Sequence, residues 1–267
     1  DISDAEMLAL KNKSLDDATL QHLFDHRDKR DLSWYQNLIA GGELMVTGQD
    51  KLLISLLSKE RLFDMVRYFT IFDKKIGKIV GRYQQVFGIK RLLERIQKRN
   101  SKGGREGGVI WHTTGSGKSF TMVFLSKALI LHDELKQCRV IVVTDRVDLE
   151  NQLSKTFASG GELSSKKDKE AAMATSGKRL AQQIGKGNER IIFTLIQKFN
   201  SATKLPECHN DSPNIIVLID EGHRSQGGEN HIRMKQALPN AAFVAFTGTP
   251  LLKDDKTTNK FGPIVHA

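Results

Sequence analysis

The stretch that decides the fold is Val109-Ile110-Trp111-His112-Thr113-Thr114-Gly115-Ser116-Gly117-Lys118-Ser119. Gly115 and Gly117 leave the backbone N–H groups open to a polyphosphate, and a helix that begins directly after them adds its dipole. The ammonium group of Lys118 can reach the β and γ phosphates, and the hydroxyl group of Ser119 can bind Mg²⁺. The full pattern has glycine at the position of His112, so the match is imperfect. We predict a phosphate-binding loop, which requires a strand before it, a helix after it and an acidic residue further along.

Strand and helix patterns alternate around this loop. Val109 and Ile110 form a short apolar run before it, and residues 119–132 place apolar side chains at helical spacing after it. Further strand-like runs, rich in β-branched residues, cover residues 140–143, 191–195, 215–219 and 242–246. The alternation predicts an α/β fold, a parallel sheet flanked by helices, with the phosphate loop at the carboxyl edge of the strands.

The required acids follow the strand-like run 215–219, in the sequence Asp220-Glu221-Gly222-His223. We expect Asp220 to hold Mg²⁺, directly or through water, and Glu221 to orient or deprotonate the attacking water. Two acids after a strand are weak evidence alone, and the phosphate loop upstream is what gives the pair its significance.

A hydroxyl-bearing turn, Thr247-Gly248-Thr249-Pro250, ends the last strand-like run. Its hydroxyl groups can hydrogen-bond to Glu221 or His223 and so sense whether the γ-phosphate is present. The simpler interpretation is a strand end with ordinary turn residues. The position of this turn after the loop and the acids favours a coupling role.

The regions outside these motifs are less specific. Residues 1–75 carry apolar side chains at helical spacing, for example Leu52, Leu53 and Leu56, and scattered acids that we interpret as surface charges. Residues 74–105 are strongly basic and include a helical pattern over 85–96, whose cationic face is either solvated or in contact with nucleic acid. Residues 158–189 are polar and rich in Gly, Ser and Lys, which predicts an exposed insertion with a short helix over 178–184.

The composition is that of a globular protein. The 267 residues are 39% hydrophobic and 27% charged, which excludes a disordered or collagen-like chain. The net charge of +10 favours a polyanionic partner, nucleic acid or an acidic membrane surface, although a solvated basic surface explains it about equally well. The two cysteines are far apart, and no secretory signal or membrane-spanning run is present, so we expect a cytoplasmic protein. The chain begins without Met and stops directly after a compact motif, so we expect a fragment of a longer protein.

Taken together, the motifs resemble those of superfamily 2 helicases and translocases, in the order 112–119, 144–146, 220–223 and 247–250. More closely, the sequence resembles the motor (restriction) subunit of type I restriction–modification enzymes, in which the loop typically opens with His, as at His112. Residues 143–152 and 193–199 resemble further motifs of that family, and residues 82–85 resemble its adenine-contacting Gln motif. Asp-Glu-Gly-His departs from the commoner Asp-Glu-Ala-His by one small residue, which leaves the acids intact.

The resemblance implies the first RecA-like lobe of an ATP-dependent DNA translocase, over residues 76–267, with ATP and Mg²⁺ as cofactors. Gln85, or else Gln84, would contact adenine. The other implied ATP-site residues are His112, Thr114, Gly115, Ser116, Gly117, Lys118 and Ser119. Lys118, Asp220 and Glu221 would be catalytic, and Ser119 and Asp220 would hold the metal. His223, Thr247, Gly248 and Thr249 would couple nucleotide state to DNA, and Arg146, Thr194 and Lys198 are candidates for contacts with the DNA backbone.

In that family a nuclease domain precedes the motor, and a second RecA-like lobe follows it and supplies an arginine to the ATP site. This chain shows neither the nuclease motif nor the second lobe, so residues 1–75 would be the tail of the nuclease domain or a linker. The implied partners are double-stranded DNA and the modification and specificity subunits of a restriction complex. Two other function classes stay open: a nucleotide-dependent switch or kinase that does not move on DNA, and a basic binding module whose ATP site is vestigial.

Overall fold

The computed structural model describes residues 3–42, 45–73, 77–113, 115–144, 147–159, 166–220, 228–249 and 257–267. Contacts between residues divide the chain into two units, Asp1–Asp64 and Met65–Ala267. The sequence suggested a boundary near residue 75. The second unit begins earlier because Phe69 and Ile71 are buried in its hydrophobic core.

The secondary structure of the described residues is as follows. The helices are α1 Asp4–Lys11, α2 Asp17–Phe24, α3 Lys29–Gly41, α4 Gly48–Leu57, α5 Lys59–Arg67, α6 Tyr83–Gln97, α7 Lys118–Leu131, α8 Val147–Ser159, α9 Lys166–Ala172, α10 Gly177–Lys186, α11 Ile196–Ala202, α12 Gly228–Ala237 and α13 Thr257–Phe261. The strands are β1 Thr70–Asp73, β2 Gly77–Val80, β3 Gly108–Trp111, β4 Arg139–Thr144, β5 Ile191–Leu195, β6 Ile215–Asp220, β7 Ala242–Thr247 and β8 Ile264–His266. None of these helices combines the length and the apolar character needed to cross a bilayer.

The first unit is helical, as the apolar spacing indicated, but it has little core of its own. Helices α1 and α4 are joined by an ion pair between the Lys11 ammonium group and Asp50, 2.6 Å apart. The hydrogen bond from Lys11, together with those from Thr47, lowers the pKa of Asp50 to about 2. Among the described residues of this unit, Met7 is buried, whereas large apolar side chains such as Trp34 and Leu52 are exposed.

The second unit is built on a six-stranded sheet in the order β5-β4-β6-β7-β3-β8. Every neighbouring pair in this sheet is parallel, which confirms the predicted α/β fold. The strand-like runs of the sequence correspond to β3 through β7. Strand β8 and the antiparallel hairpin β1-β2 were not predicted. Both are short and lie beyond the repeating strand–helix pattern.

The core of this unit lies on both faces of the sheet, because β4, β6 and β7 are buried along their whole apolar length. In β6, Ile216 and Leu218 point into a first cluster of buried side chains, which includes residues of α6, α7 and α8. Val217 and Ile219 point into a second cluster on the opposite face, which includes residues of α10, α11 and α12. A strand covered on both faces reads as a continuous apolar run, which is why the sequence identified β6 clearly.

The region predicted as an exposed insertion is partly a packed helix. In α10, Leu180, Ala181 and Ile184 are buried in the second cluster. Its polar composition comes from the outer face of a strongly amphipathic helix. Residues 160–165 of this region lie outside the described part of the chain. The prediction of an exposed insertion is therefore wrong for residues 177–186.

The helices that follow the neighbouring strands β3 and β7 lie on opposite faces of the sheet. Helix α7 follows β3 and packs in the first cluster through Met122 and Phe124. Helix α13 follows the adjacent strand β7 and packs in the second cluster through Phe261. In a parallel sheet, two adjacent strands whose following helices lie on opposite faces open a crevice at the carboxyl edge.

We expect Phe193→Ala to destabilise the chain by about 3–5 kcal/mol, the usual loss for a buried aromatic ring. Phe193 on β5 is fully buried and packs edge-to-face on Phe157, with ring centroids 5.0 Å apart. The matched control is Phe72→Ala on β1, where the side chain is 70% exposed. That change should stay within about 0.5 kcal/mol. Urea denaturation of both variants tests the assignment, and equal losses would contradict it.

Candidate nucleotide-binding site

Three motifs that are distant in sequence meet at the carboxyl edge of the sheet. Trp111, the last residue of β3, is the register partner of Thr247 on β7. Asp220, the last residue of β6, is the register partner of Phe246 on the other side of β7. The sequence predicted that the phosphate loop, the hydroxyl-bearing turn and the acids each follow a strand. The strand order makes those three strands neighbours.

Two hydrogen bonds join the loop strand to the hydroxyl-bearing turn. The backbone N–H of His112 donates to the carbonyl oxygen of Thr247 at 3.0 Å. The indole N–H of Trp111 donates to the carbonyl oxygen of Gly248, also at 3.0 Å. Within the turn, the backbone N–H of Thr249 donates to the hydroxyl oxygen of Thr247 at 3.2 Å. The turn and the start of the loop are therefore in direct contact.

The loop itself has the backbone that a phosphate cradle needs. Gly115 and Gly117 have φ angles of 82° and 87°, in the left-handed region that side chains disfavour. Gly117 is the N-cap residue of α7, and no side chain caps this helix among the described residues. The N–H groups at the start of α7 are thus available to an anion, and the helix dipole favours one there. Lys118 and Ser119, the first two residues of α7, are both half-buried at this position.

Two polar atoms of the loop are buried without a hydrogen-bond partner among the described residues. They are Nδ1 of His112 and the hydroxyl oxygen of Ser116. Buried polar atoms are nearly always hydrogen-bonded in folded proteins, so such atoms in a loop point to a ligand that completes them. A nucleotide polyphosphate fits this loop, because its oxygens accept hydrogen bonds from backbone N–H groups and hydroxyl groups.

The side-chain amide of Gln85 holds the loop against α6. Its Nε2 donates to the carbonyl oxygen of Gly117 and to the hydroxyl oxygen of Thr121, each at 3.1 Å. Its Oε1 accepts from the backbone N–H of Arg82 at 2.9 Å. The predicted adenine contact at Gln85 stays a prediction. Gln84, the alternative, also lines the cleft described next.

A cleft of about 650 Å³ lies over the loop. Its walls are the start of α6 and the chain end at His266 and Ala267, together with the loop residues Trp111, His112, Thr113, Gly115 and Ser116. The volume is in the range that small-molecule sites occupy. The conformation of the loop and the position of the cleft together indicate a nucleotide site.

His112 and His266 form a pair at one wall of this cleft. Their rings meet edge-to-face with centroids 5.5 Å apart, and Nε2 of His112 lies 3.4 Å from Nδ1 of His266. Burial, then the neighbouring His266 and Lys118, lower the pKa of His112. Burial, then Arg91, lower the pKa of His266. Both rings are therefore held in the neutral form.

Sequence reasoning missed His266. It lies 154 residues after His112, on the short strand β8, and no motif surrounds it. The parallel pairing of β8 with β3, in which Ile110 is the register partner of His266, brings it to the cleft. The sequence signal was limited to the apolar Ile264 and Val265, which are too few to define a strand.

Several predicted site residues lie outside the described part of the chain: Thr114, Arg146, Glu221 and His223. Asp220 is described and is 7% exposed at the end of β6. Oxygen ligands such as its carboxylate and the hydroxyl of Ser119 suit Mg²⁺. These two residues therefore fit a magnesium ion by their chemistry.

The structure corrects one candidate for contact with DNA. Thr194 is fully buried on β5, and its hydroxyl group donates to the carbonyl oxygen of Leu195 at 3.3 Å, so it is not accessible to DNA. Lys198 stays a candidate, but it already has an acidic neighbour, with its Nζ 3.6 Å from Glu150. Burial raises the pKa of Glu150, and the charge of Lys198 opposes that effect.

Comparisons with known proteins agree with this geometry. Residues 84–267 match the family model described as SWI2/SNF2 ATPase. The chain is 38% identical over 228 residues to the type I restriction enzyme HindI endonuclease subunit of Haemophilus influenzae, covering 78% of this chain and 21% of that protein. It is 37% identical over 228 residues to the putative type I restriction enzyme MjaIXP endonuclease subunit of Methanocaldococcus jannaschii, covering 83% of this chain and 21% of that protein. The chain thus spans about a fifth of the length of these relatives.

Two solved structures share the fold. The UvsW helicase of bacteriophage T4 superposes with a TM-score of 0.52 at 16% identity, over 78% of this chain and 67% of that chain. The Sulfolobus solfataricus SWI2/SNF2 ATPase core, solved in complex with double-stranded DNA, gives a TM-score of 0.50 at 16% identity, over 74% of this chain and 37% of that chain. At such identities the likeness concerns the fold alone.

We expect Gln85→Ala to lower the free energy of unfolding by about 1–3 kcal/mol, because it removes buried hydrogen bonds to Gly117 and Thr121. The matched control is Gln84→Ala at the neighbouring position, which should change stability by less than about 0.5 kcal/mol. Urea denaturation without nucleotide measures both. If the two variants lose the same stability, Gln85 does not hold the loop.

The histidine pair predicts a loss of stability in mild acid. The unfolded chain takes up protons on histidine as the pH falls through about 6.5, whereas the folded chain, with both pKa values lowered, resists protonation. Stability is therefore fully present above that pH and decreases below it. Replacing the pair by His112→Gln with His266→Phe should flatten the decrease between about pH 7.5 and pH 5.5. Urea denaturation across this range measures both proteins, and an equally steep decrease in the double variant would contradict the prediction.

Proposed function

This chain belongs to the SWI2/SNF2 ATPase family, and we propose that it is the ATP-binding first motor lobe of a DNA translocase, part of the endonuclease subunit of a type I restriction enzyme. The single observation that carries the motor assignment is the pair of hydrogen bonds from Trp111 and His112 to the turn at Thr247 and Gly248. The bond from His112 continues the pairing of β3 with β7, and the bond from Trp111 joins its indole to the turn. A motor must convey the state of the nucleotide to the surface that holds DNA, and this contact provides a route for that coupling.

The ATP phosphates are expected to lie on the backbone of residues 114–119, at the start of α7. Lys118 would counter the charge that develops on the γ-phosphate. Ser119 and Asp220 would hold Mg²⁺, which neutralises phosphate charge when bound. Glu221 would orient and deprotonate the attacking water, since the carboxylate next to the metal-binding acid can stay free of the metal.

The coupling to DNA would pass through the turn after β7. Thr247 and Thr249, with His223, would respond to the presence of the γ-phosphate. The protein would then hold DNA by its phosphate backbone. Because Thr194 is buried, Arg146 and Lys198 are the remaining candidates for these contacts. Contacts of this kind position the protein without reading the sequence, so recognition of a DNA site would belong to another subunit.

The proposal for the whole protein rests on the relatives. The proteins of Haemophilus influenzae and Methanocaldococcus jannaschii are named as endonuclease subunits of type I restriction enzymes, one of them as putative. By this analogy the chain would act in the cytoplasm with double-stranded DNA and with modification and specificity subunits. A second RecA-like lobe would supply the arginine that completes the ATP site. Such an arginine is worth about 10³-fold or more in rate, so we expect this lobe alone to bind ATP but to turn it over poorly.

We expect Lys118→Ala to abolish ATP hydrolysis and DNA-dependent motion in the full-length subunit, because it removes the charge that counters the γ-phosphate. Lys136→Ala, which removes an exposed lysine in the turn before β4, is the matched control and should retain activity. DNA-stimulated phosphate release measures both variants. Full DNA-stimulated turnover in Lys118→Ala would contradict the proposal.

Titration calorimetry of this chain with a non-hydrolysable ATP analogue separates the remaining alternatives. Magnesium-dependent binding is expected, and its absence would favour a vestigial site. A nucleotide switch without a motor function predicts hydrolysis by the full-length subunit that DNA does not stimulate.

A further inference from the structure

The ring nitrogen Nδ1 of His112 is a buried polar atom at the wall of the cleft. His112 is 5% exposed, it lines the cleft, and this nitrogen has no hydrogen-bond partner among the described residues. Such a nitrogen either forms a hydrogen bond to a ligand or lowers the stability of the fold by remaining buried without one. The chemistry around it indicates which kind of ligand it meets.

The charges that face the pair are positive. Lys118 at the start of α7 faces His112, and Arg91 on α6 faces His266. The amino end of α7 adds a partial positive charge. These groups favour an anion, and the unprotonated oxygens of a polyphosphate accept hydrogen bonds. To bind such a ligand, Nδ1 of His112 must carry a hydrogen and donate it.

A neutral imidazole carries one hydrogen, on one nitrogen or the other. Burial and the neighbouring cations keep His112 neutral, so a hydrogen on Nδ1 leaves its Nε2 as an acceptor. The group that faces Nε2 is Nδ1 of His266, at 3.4 Å. This nitrogen must then be the donor. The tautomers of the two rings are therefore linked. When Nδ1 of His266 carries its hydrogen, Nε2 of His112 is the acceptor and Nδ1 of His112 carries the hydrogen.

The packing of His266 keeps it in place for this role. Gly88 on α6 lies directly against its ring, since a Cβ atom at that position would meet Cβ and Cγ of His266 at 3.4 Å. On its other side the ring meets His112 edge-to-face. Because β8 pairs with β3, the backbone of His266 is also fixed relative to the loop strand.

We propose that His266 is a positioning residue of the nucleotide site, which donates from Nδ1 to Nε2 of His112 and so sets the tautomer in which Nδ1–H of His112 binds a nucleotide phosphate. This inference rests on the proposed ATP site. It gives His112, which stands where the phosphate-loop pattern has glycine, a direct contact with the ligand. It also gives β8, which carries no motif, a part in the site.

Two substitutions of His266 test the proposal in this chain. His266→Phe keeps a ring but removes the donor, and His266→Asn keeps an N–H donor near the position of Nδ1. We expect His266→Phe to weaken binding of inorganic tripolyphosphate with Mg²⁺ by about tenfold, the effect of one hydrogen bond to a charged group. His266→Asn should recover most of that loss. Adenosine, which has no phosphate, should bind all three proteins equally.

Nitrogen chemical shifts of the His112 ring give a second readout that a purely structural role would not change. With tripolyphosphate bound, the hydrogen should be on Nδ1 in the unmodified chain and on Nε2 in His266→Phe. A hydrogen on Nε2 in the unmodified chain would overturn the proposal, as would unchanged tripolyphosphate affinity in His266→Phe. If the unmodified chain binds neither tripolyphosphate nor ATP, the proposed function fails and this inference fails with it, an outcome distinct from the other two.

Discussion

The position of β7 between β3 and β6 is the constraint on which the site depends. Parallel pairing places the ends of these strands side by side, so that Trp111, Thr247 and Asp220 arrive at one edge although they come from distant parts of the sequence. The helices after β3 and β7 pack on opposite faces, which leaves the space above this edge open. The proposed ATP site needs a loop, an acid and a sensor of the γ-phosphate within reach of one ligand, and the order of the strands brings the three candidate segments to one edge.

The loop is held mainly through its backbone. Gln85 binds the carbonyl oxygen of Gly117, and Thr247 accepts from the N–H of His112. Neither contact uses the N–H groups at the start of α7, so these groups remain available to a phosphate. A loop fixed in this way loses less conformational entropy when a ligand binds, which is the benefit of preorganisation.

The parts of the fold and site that the sequence predicted are those with a strong local signal. Strands β4, β6 and β7 are buried on both faces and therefore read as continuous apolar runs, and Gly117-Lys118-Ser119 is a pattern that few other structures require. The parts that were missed depend on tertiary contacts. The short helix predicted over 178–184 is present as α10, but its polar composition concealed the apolar face that is buried. Thr194 is buried because helices cover both faces of β5. His266 could not be found because its role exists only through the pairing of β8 with β3.

The hydrogen bond from the indole of Trp111 to Gly248 has an optical consequence. The chain has two tryptophans, and Trp34 belongs to the helical unit, whereas Trp111 lines the cleft and is bound to the hydroxyl-bearing turn. Indole emission depends on the polarity around the ring and on the bonding of its N–H group. In a variant whose only tryptophan is Trp111, a shift of the fluorescence emission maximum would therefore report a conformational change of the loop or the turn, without an attached dye.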